Sequence, residues 1–150
     1  MNLYLDTSAL IKRYIRERGS QEVASLWGQG NVFLTSLITR AEIMATFAKA
    51  VRMNVIDRLA AEAQIEAFQH DWRKLALIPV NEQLVDFAGV LAWQSNLRGY
   101  DAVHLASALL WQDLLQSPIT FATFDKRLWQ AAKDAGLEPF PSDISPFLTP

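Results

Sequence analysis

The chain has 150 residues, of which 51% are hydrophobic and 20% charged, a composition that excludes a disordered tail, a collagen-like repeat or a low-complexity linker. At this length one core is expected to bury roughly 70% of the surface that the unfolded chain exposes. The net charge of −2 brings no bulk basic field, and the absence of cysteine removes thiolate catalysis, disulfides and Cys-ligated metal centres.

In chain order, short apolar runs alternate with longer stretches of helical spacing, the pattern of βαβ units around a parallel sheet. Leu3-Tyr4-Leu5 reads as a first strand, followed by a helical stripe of Leu10, Ile11, Tyr14 and Ile15 that ends near Gly19-Ser20. A short helix is expected from Gln21 to Trp27, and a second strand at Val32-Phe33-Leu34. Thr35-Ser36 is expected to cap a helix running through Ile38, Ala41, Met44, Ala48 and Val51. Asp57 to Lys74 is another helix, Leu75 to Val80 a third strand, and Asn81 caps a helix that stops before Gly99. Tyr100 to Leu115, Ile119 to Phe124 and Asp125 to Ala135 read as helix, strand and helix, and Leu137 to Phe140 as a last strand. The expectation is a single α/β domain over 1–150, a sheet of four to five strands, with 141–150 as a C-terminal tail.

No apolar run approaches the roughly 18 residues that span a bilayer, and the start lacks the features of a secretory signal, so a cytoplasmic protein with no membrane association is expected. Phosphate-binding glycine loops are missing: Gly28-Gln29-Gly30 lacks a third glycine, and no GxxxxGK occurs. Ser8 stands where an aspartyl-phosphate phosphatase would need a second Asp after Asp6, and no GxSxG elbow is present.

Most of the acidic residues lie among polar neighbours on helix faces, but four do not. Asp6 and Asp125 follow apolar strands, at the carboxyl edge where ligands bind in an open parallel sheet. Glu42 and Asp101 lie near the starts of apolar helices, which in βαβ units face the same crevice. Taken singly, Asp6, Asp101 and Asp125 each read equally as helix N-caps and Glu42 as an exposed first-turn acid. Taken together, acids on one edge repel one another and call for a cation. With no Cys and only His70 and His104, the donor set is hard oxygen, which suits Mg²⁺ or Mn²⁺ and points to metal-assisted phosphodiester hydrolysis. His104 reads as a core imidazole or a support to the acids, His70 as surface, and the five tryptophans as core or interface aromatics.

Asp6-Thr7-Ser8-Ala9-Leu10, Glu42 in the helix after Thr35-Ser36, Tyr100-Asp101-Ala102-Val103-His104-Leu105-Ala106 and Phe121-Ala122-Thr123-Phe124-Asp125-Lys126-Arg127-Leu128 together resemble the PIN-domain ribonucleases. Within them the likeness is to VapC-type toxins of toxin–antitoxin pairs, and it spans Asn2 to about Phe140. The resemblance implies a three-layer α/β/α sandwich with a central parallel sheet, and Asp6 and Asp101 as principal ligands of one or two Mg²⁺ or Mn²⁺ ions. Glu42 and Asp125 would complete that catalytic site, with Ser8 and Thr123 as supporting hydroxyls. It implies an endoribonuclease acting on RNA, usually a homodimer, silenced by a cognate antitoxin protein. Such a partner is expected to place an Arg or Lys in the acidic groove and an apolar helix on the early helices.

Setting the four acids aside leaves 14 basic against 12 acidic residues. Lys12, Arg13, Arg16, Arg98, Lys126 and Arg127 are candidate phosphate contacts, Arg13, Arg98 and Lys126 foremost, or else solvated helix charges. Two alternatives remain open from sequence: a PIN nuclease with a housekeeping RNA-processing role, and a PIN-like module that holds RNA or protein without cutting.

Overall fold

The computed structural model describes residues 1–149. Five strands, β1 (Asn2–Leu5), β2 (Val32–Ser36), β3 (Ala76–Ile78), β4 (Ile119–Ala122) and β5 (Glu138–Phe140), form one sheet in the order β3-β2-β1-β4-β5. Every pairing is parallel, with Tyr4 opposite Leu34 on one side and Phe121 on the other. Buried on both faces, these strands are short and apolar, as central parallel strands must be.

Side-chain alternation along β1 divides the interior. Tyr4 faces a core shared with α5 (Glu82–Ser95), α6 (Gly99–Leu115) and α7 (Lys126–Asp134) through Leu84, Leu105 and Leu128. Leu3 and Leu5 face the opposite core, with α1 (Thr7–Leu10), α3 (Thr39–Arg52) and α4 (Arg58–Trp72) supplying Leu10, Ile43, Phe47 and Phe68, and Leu26 joining from the end of α2 (Ser20–Ser25). The result is the three-layer α/β/α sandwich with a five-stranded parallel sheet.

Several boundaries differ from the sequence expectation, each for a local reason. Thr35 and Ser36 lie inside β2: Thr35 Oγ1 donates to the Leu5 carbonyl at 2.7 Å and meets Thr39 Oγ1, and Ser36 Oγ accepts from the N–H of Ile38, the N-cap residue of α3, at 3.3 Å. The stripe after Asp6 forms one α-turn and then a 3₁₀ segment, Ile11–Arg13. The third strand is only Ala76–Ile78, because Pro79 cannot donate to the ladder. Asp57 and Asn81 do cap α4 and α5, accepting from the backbone N–H of Ala60 and Leu84. Gly19 enters α2 at φ +95°, and a Cβ there would lie 2.6 Å from the Phe124 ring, so both conformation and space require glycine.

Residues 141–149, expected as a tail, are anchored: Ile144 is buried, Phe147 packs edge-on against Phe124, and Trp129 Nε1 donates to the Pro141 carbonyl. Trp72 and Trp129 are core residues, whereas Trp93 is 91% exposed. Among the described residues no helix is long and apolar enough to cross a membrane.

Candidate active site

The strand order reverses between β1 and β4, and the crevice beyond their carboxyl ends is where such a sheet binds ligands. Asp6 leaves β1 at that point and is only 3% exposed. Its Oδ1 accepts from Ser8 Oγ at 2.7 Å and from the Ala9 N–H at 2.9 Å, and its Oδ2 accepts from Thr123 Oγ1 at 2.6 Å. Both hydroxyls are themselves fixed: Ser8 Oγ accepts from the Phe124 N–H, and Thr123 Oγ1 from the Asp125 N–H. Ser8 and Thr123 therefore stitch the end of β4 to Asp6. Burial raises the Asp6 pKa, and the charge of His104 and the donated hydrogen bonds do not outweigh it. Asp6 is also the N-cap of α1, so cap and site readings coincide.

Glu42 sits in the first turn of α3, and its Oε1 accepts from Thr7 Oγ1 at 2.8 Å and from His104 Nε2 at 2.6 Å. The other ring nitrogen, His104 Nδ1, takes the Tyr4 hydroxyl at 2.8 Å. Since a carboxylate can only accept, the network assigns a proton to His104 Nε2, while Nδ1 and the Tyr4 hydroxyl share the second hydrogen bond. Burial raises the Glu42 pKa, but the His104 hydrogen bond and charge, Thr7 and the charge of Arg98 together leave it lowered.

Asp101 lies in the first turn of α6 but is not its N-cap; that position is Arg98, with extended backbone and no capping hydrogen bond. Asp125 is the N-cap of α7, its Oδ1 accepting from the Leu128 N–H at 2.9 Å. The outer oxygens of both acids meet one guanidinium: Arg98 Nε reaches Asp101 Oδ2 at 2.8 Å and Arg98 Nη2 reaches Asp125 Oδ2 at 3.2 Å.

Asp6, Glu42, Asp101 and Asp125 line one pocket of about 620 Å³, with Ser8, Lys12, Arg98 and His104 also at its wall. The donor chemistry fits a hard divalent cation, and the Arg98 guanidinium already occupies two of the carboxylates as a stand-in cation. As they stand, no three His, Asp or Glu side chains among the described residues form a ligand cluster. The reason is visible in the partners: Glu42 is turned to His104 and Thr7, and Asp101 and Asp125 are turned to Arg98.

The basic candidates divide. Arg98 lines the acidic pocket, and Lys126 lines a neighbouring hollow with Arg98 and Arg127. Lys12 reaches the acidic pocket but pairs with Glu17 at 2.8 Å and lies over the Phe124 ring. The structure does not bring Arg13 there: its Nε pairs with Asp71 at 2.9 Å and its guanidinium lies over the Trp27 ring, tying the 3₁₀ segment after α1 to α4. Sequence reasoning left Thr7 and Tyr4 unassigned; a lone Tyr in an apolar strand beside a buried His was the available signal.

A parallel sheet with its acids at the switch point defines a fold and a site type, and comparison with known proteins gives the family. Residues 3–134 match the PIN domain. Ribonuclease VapC45 of Mycobacterium tuberculosis (strain CDC 1551 / Oshkosh) is 33% identical over 151 aligned residues, covering 96% of this chain and 98% of that one. The protein belongs to the PIN-domain family, among its VapC-type ribonucleases. In fold it is similar to VapBC2 from Rickettsia felis bound to a promoter DNA fragment, at TM-score 0.63 and 15% identity over 93% of this chain and 99% of that one. It is likewise similar to a toxin–antitoxin complex from Klebsiella pneumoniae, at TM-score 0.55 and 19% identity over 96% and 97% of the two chains.

Proposed function

We propose that this protein is an Mg²⁺- or Mn²⁺-dependent endoribonuclease and the toxin of a toxin–antitoxin pair. The observation that carries this reading is the joining of Asp6, Glu42, Asp101 and Asp125 in one pocket at the sheet's switch point. Asp6 and Asp101 would be the principal metal ligands and Glu42 and Asp125 would complete the set. When bound, the ion supplies a water of lowered pKa and neutralises charge that develops on the phosphate.

The chain's own residues do the rest. Ser8 and Thr123 keep both Asp6 oxygens aimed, and His104, backed by Tyr4, keeps Glu42 from rotating away. Arg98 and Lys126, beside the acids, would take backbone phosphates and so set the scissile bond against the carboxylates.

Two partner surfaces support the rest of the reading. Met44, Phe47, Ala48, Val51 and Ile65 line an apolar groove of about 430 Å³ between α3 and α4, suited to an antitoxin helix whose basic side chain enters the acidic pocket. A homodimer would cover the apolar face of α5 and α6, where Val90, Trp93 and Leu114 are exposed.

The test is incubation of the purified chain with mixed RNA in Mn²⁺, in Mg²⁺ and in EDTA. Cleavage in the metals and none in EDTA is expected. Cleavage that survives EDTA overturns the metal-dependent reading, and no cleavage in either metal leaves the non-cutting module. A small neighbouring gene whose product co-purifies and inhibits separates toxin from RNA processing.

A further inference from the structure

Among the described residues Arg98 is the only one whose side chain bonds to two of the four carboxylates, and its position follows from local structure. It precedes α6 with extended backbone (φ −63°, ψ 152°), which throws its side chain back over the first turn, where Asp101 lies. The reach to Asp125 then joins the starts of α6 and α7 through one planar group. Apart from the two carboxylates nothing fixes it, since 73% of the side chain is exposed. Exposed ion pairs are weakly held, so this bridge opens readily.

Arg98, Asp101 and Asp125 also border a second hollow, of about 690 Å³, whose remaining lining is Lys126, Arg127 and Gln130. Among the described residues neither Lys126 nor Arg127 has an ion-pair partner, so the side of the hollow that they form can take an anion. The guanidinium and its two carboxylates thus form the boundary between the acidic pocket and a hollow whose other charged side chains, Lys126 and Arg127, are basic. The guanidinium holds the Oδ2 atoms of Asp101 and Asp125, and a divalent cation drawn to the same two carboxylates would meet its like charge.

We propose that Arg98 is an exchangeable counter-ion: it bridges Asp101 and Asp125 while no divalent ion is bound, and moves to an RNA phosphate in the Lys126–Arg127 hollow when the ion takes those carboxylates. This rests on the metal-nuclease reading above. Metal and RNA binding are then coupled through one side chain, each favouring the other, because occupation of either site leaves Arg98 placed for the second.

The experiment titrates MnCl₂ calorimetrically into the full chain without RNA, for the native sequence, Arg98→Gln and Arg98→Lys. Arg98→Gln is expected to bind Mn²⁺ about fivefold more tightly, since a site blocked by its own bridge is weakened in proportion to the time it is blocked. In the same variant the RNA concentration for half-maximal cleavage at saturating Mn²⁺ should rise about fivefold, the loss of one charged phosphate contact. Arg98→Lys, a single point donor unable to span both acids, should bind Mn²⁺ like the Gln variant and RNA like the native chain. Loss of a merely structural contact would weaken both ligands together and lower the melting temperature. Unchanged or weaker Mn²⁺ binding by folded Arg98→Gln, while the native chain binds Mn²⁺ and cuts RNA, overturns the exchange alone. Absence of Mn²⁺ binding and of cleavage in the native chain overturns the nuclease reading and the exchange with it.

Discussion

The inner and outer acids of the pocket are held in different ways. Asp6 and Glu42 are fixed from within: Asp6 by two hydroxyls and a backbone N–H, Glu42 by Thr7 and by a histidine that is itself held by a buried tyrosine. Asp101 and Asp125 stand on the rim, and their outer oxygens share one exposed arginine. Half of the site is therefore built into the core and half remains adjustable. A pocket arranged this way holds its deep acids in place through the core and leaves its rim acids to one exposed side chain.

The sharpest break of this comparison removes one charge from each half. Asp6→Asn and Asp101→Asn should each lower RNA cleavage by about 10²–10³, the scale seen when a preorganised electrostatic contact to the reacting group is lost. Stability should separate them. The folded-state pKa of Asp6 is raised above its unfolded value, so its destabilising effect is absent at acid pH and grows as pH rises through the folded value. Asp6→Asn should thus raise the urea midpoint at neutral pH in EDTA, with the gain vanishing toward acid. Glu42 has the opposite sign: its lowered pKa adds stability above the unfolded value, and this is lost as pH falls through the folded value, so Glu42→Gln should lower the neutral midpoint.

Metal should act next in size. At about 100 times its dissociation constant, Mn²⁺ bound only by the folded chain stabilises by about 2.7 kcal/mol. For a chain of this length that is a rise in melting temperature of roughly 5–10 °C. EDTA should reverse the rise, and Asp101→Ala should abolish it; a full shift in that variant would put the ion elsewhere.

A smaller effect tests how firmly the inner half is held. His104→Ala leaves Glu42 with Thr7 alone, and cleavage should fall about 10–100-fold, the usual scale for loss of a group that orients a ligand. Tyr4→Phe should fall less, because Glu42 keeps its imidazole partner. Equal loss in both would mean that Tyr4 acts on more than His104.

The least effect on RNA is expected outside both halves. Arg13→Ala should leave half-maximal RNA concentration unchanged and destabilise the fold by about 1 kcal/mol, through loss of the Asp71 pair and the Trp27 contact. Lys126→Ala should raise that RNA concentration instead. A weakened RNA response in Arg13→Ala would return Arg13 to the phosphate path.

Much of this site was legible in one dimension. An acid placed directly after an apolar strand stands at the carboxyl edge whatever the strand pairs with, and an acid in the first turn of an apolar helix faces the same crevice, so Asp6, Asp125, Glu42 and Asp101 could be named from spacing. What spacing hid were long-range pairings. Arg13 looked available until α4 brought Asp71 beside it, and Tyr4 looked like an ordinary strand residue until α6 placed His104 against its hydroxyl. Strand limits moved for a similar reason: Thr35 and Ser36 resemble caps locally, but pairing with Leu77 and Ile78 of β3 extends β2 through them.

The sequence by itself determined the βαβ order, the parallel sheet and which acids stand on its carboxyl edge, because strand and helix periodicity and the residue that ends each element are local properties of the chain. Only the tertiary structure decided which partner each acid has. Hydroxyls from α1 and from just beyond β4 hold Asp6, an imidazole from α6 holds Glu42, and one guanidinium spans Asp101 and Asp125. Those distances join residues far apart in the chain, and they exist only once the sheet order has set β1 beside β4 and packed α3, α6 and α7 around their ends.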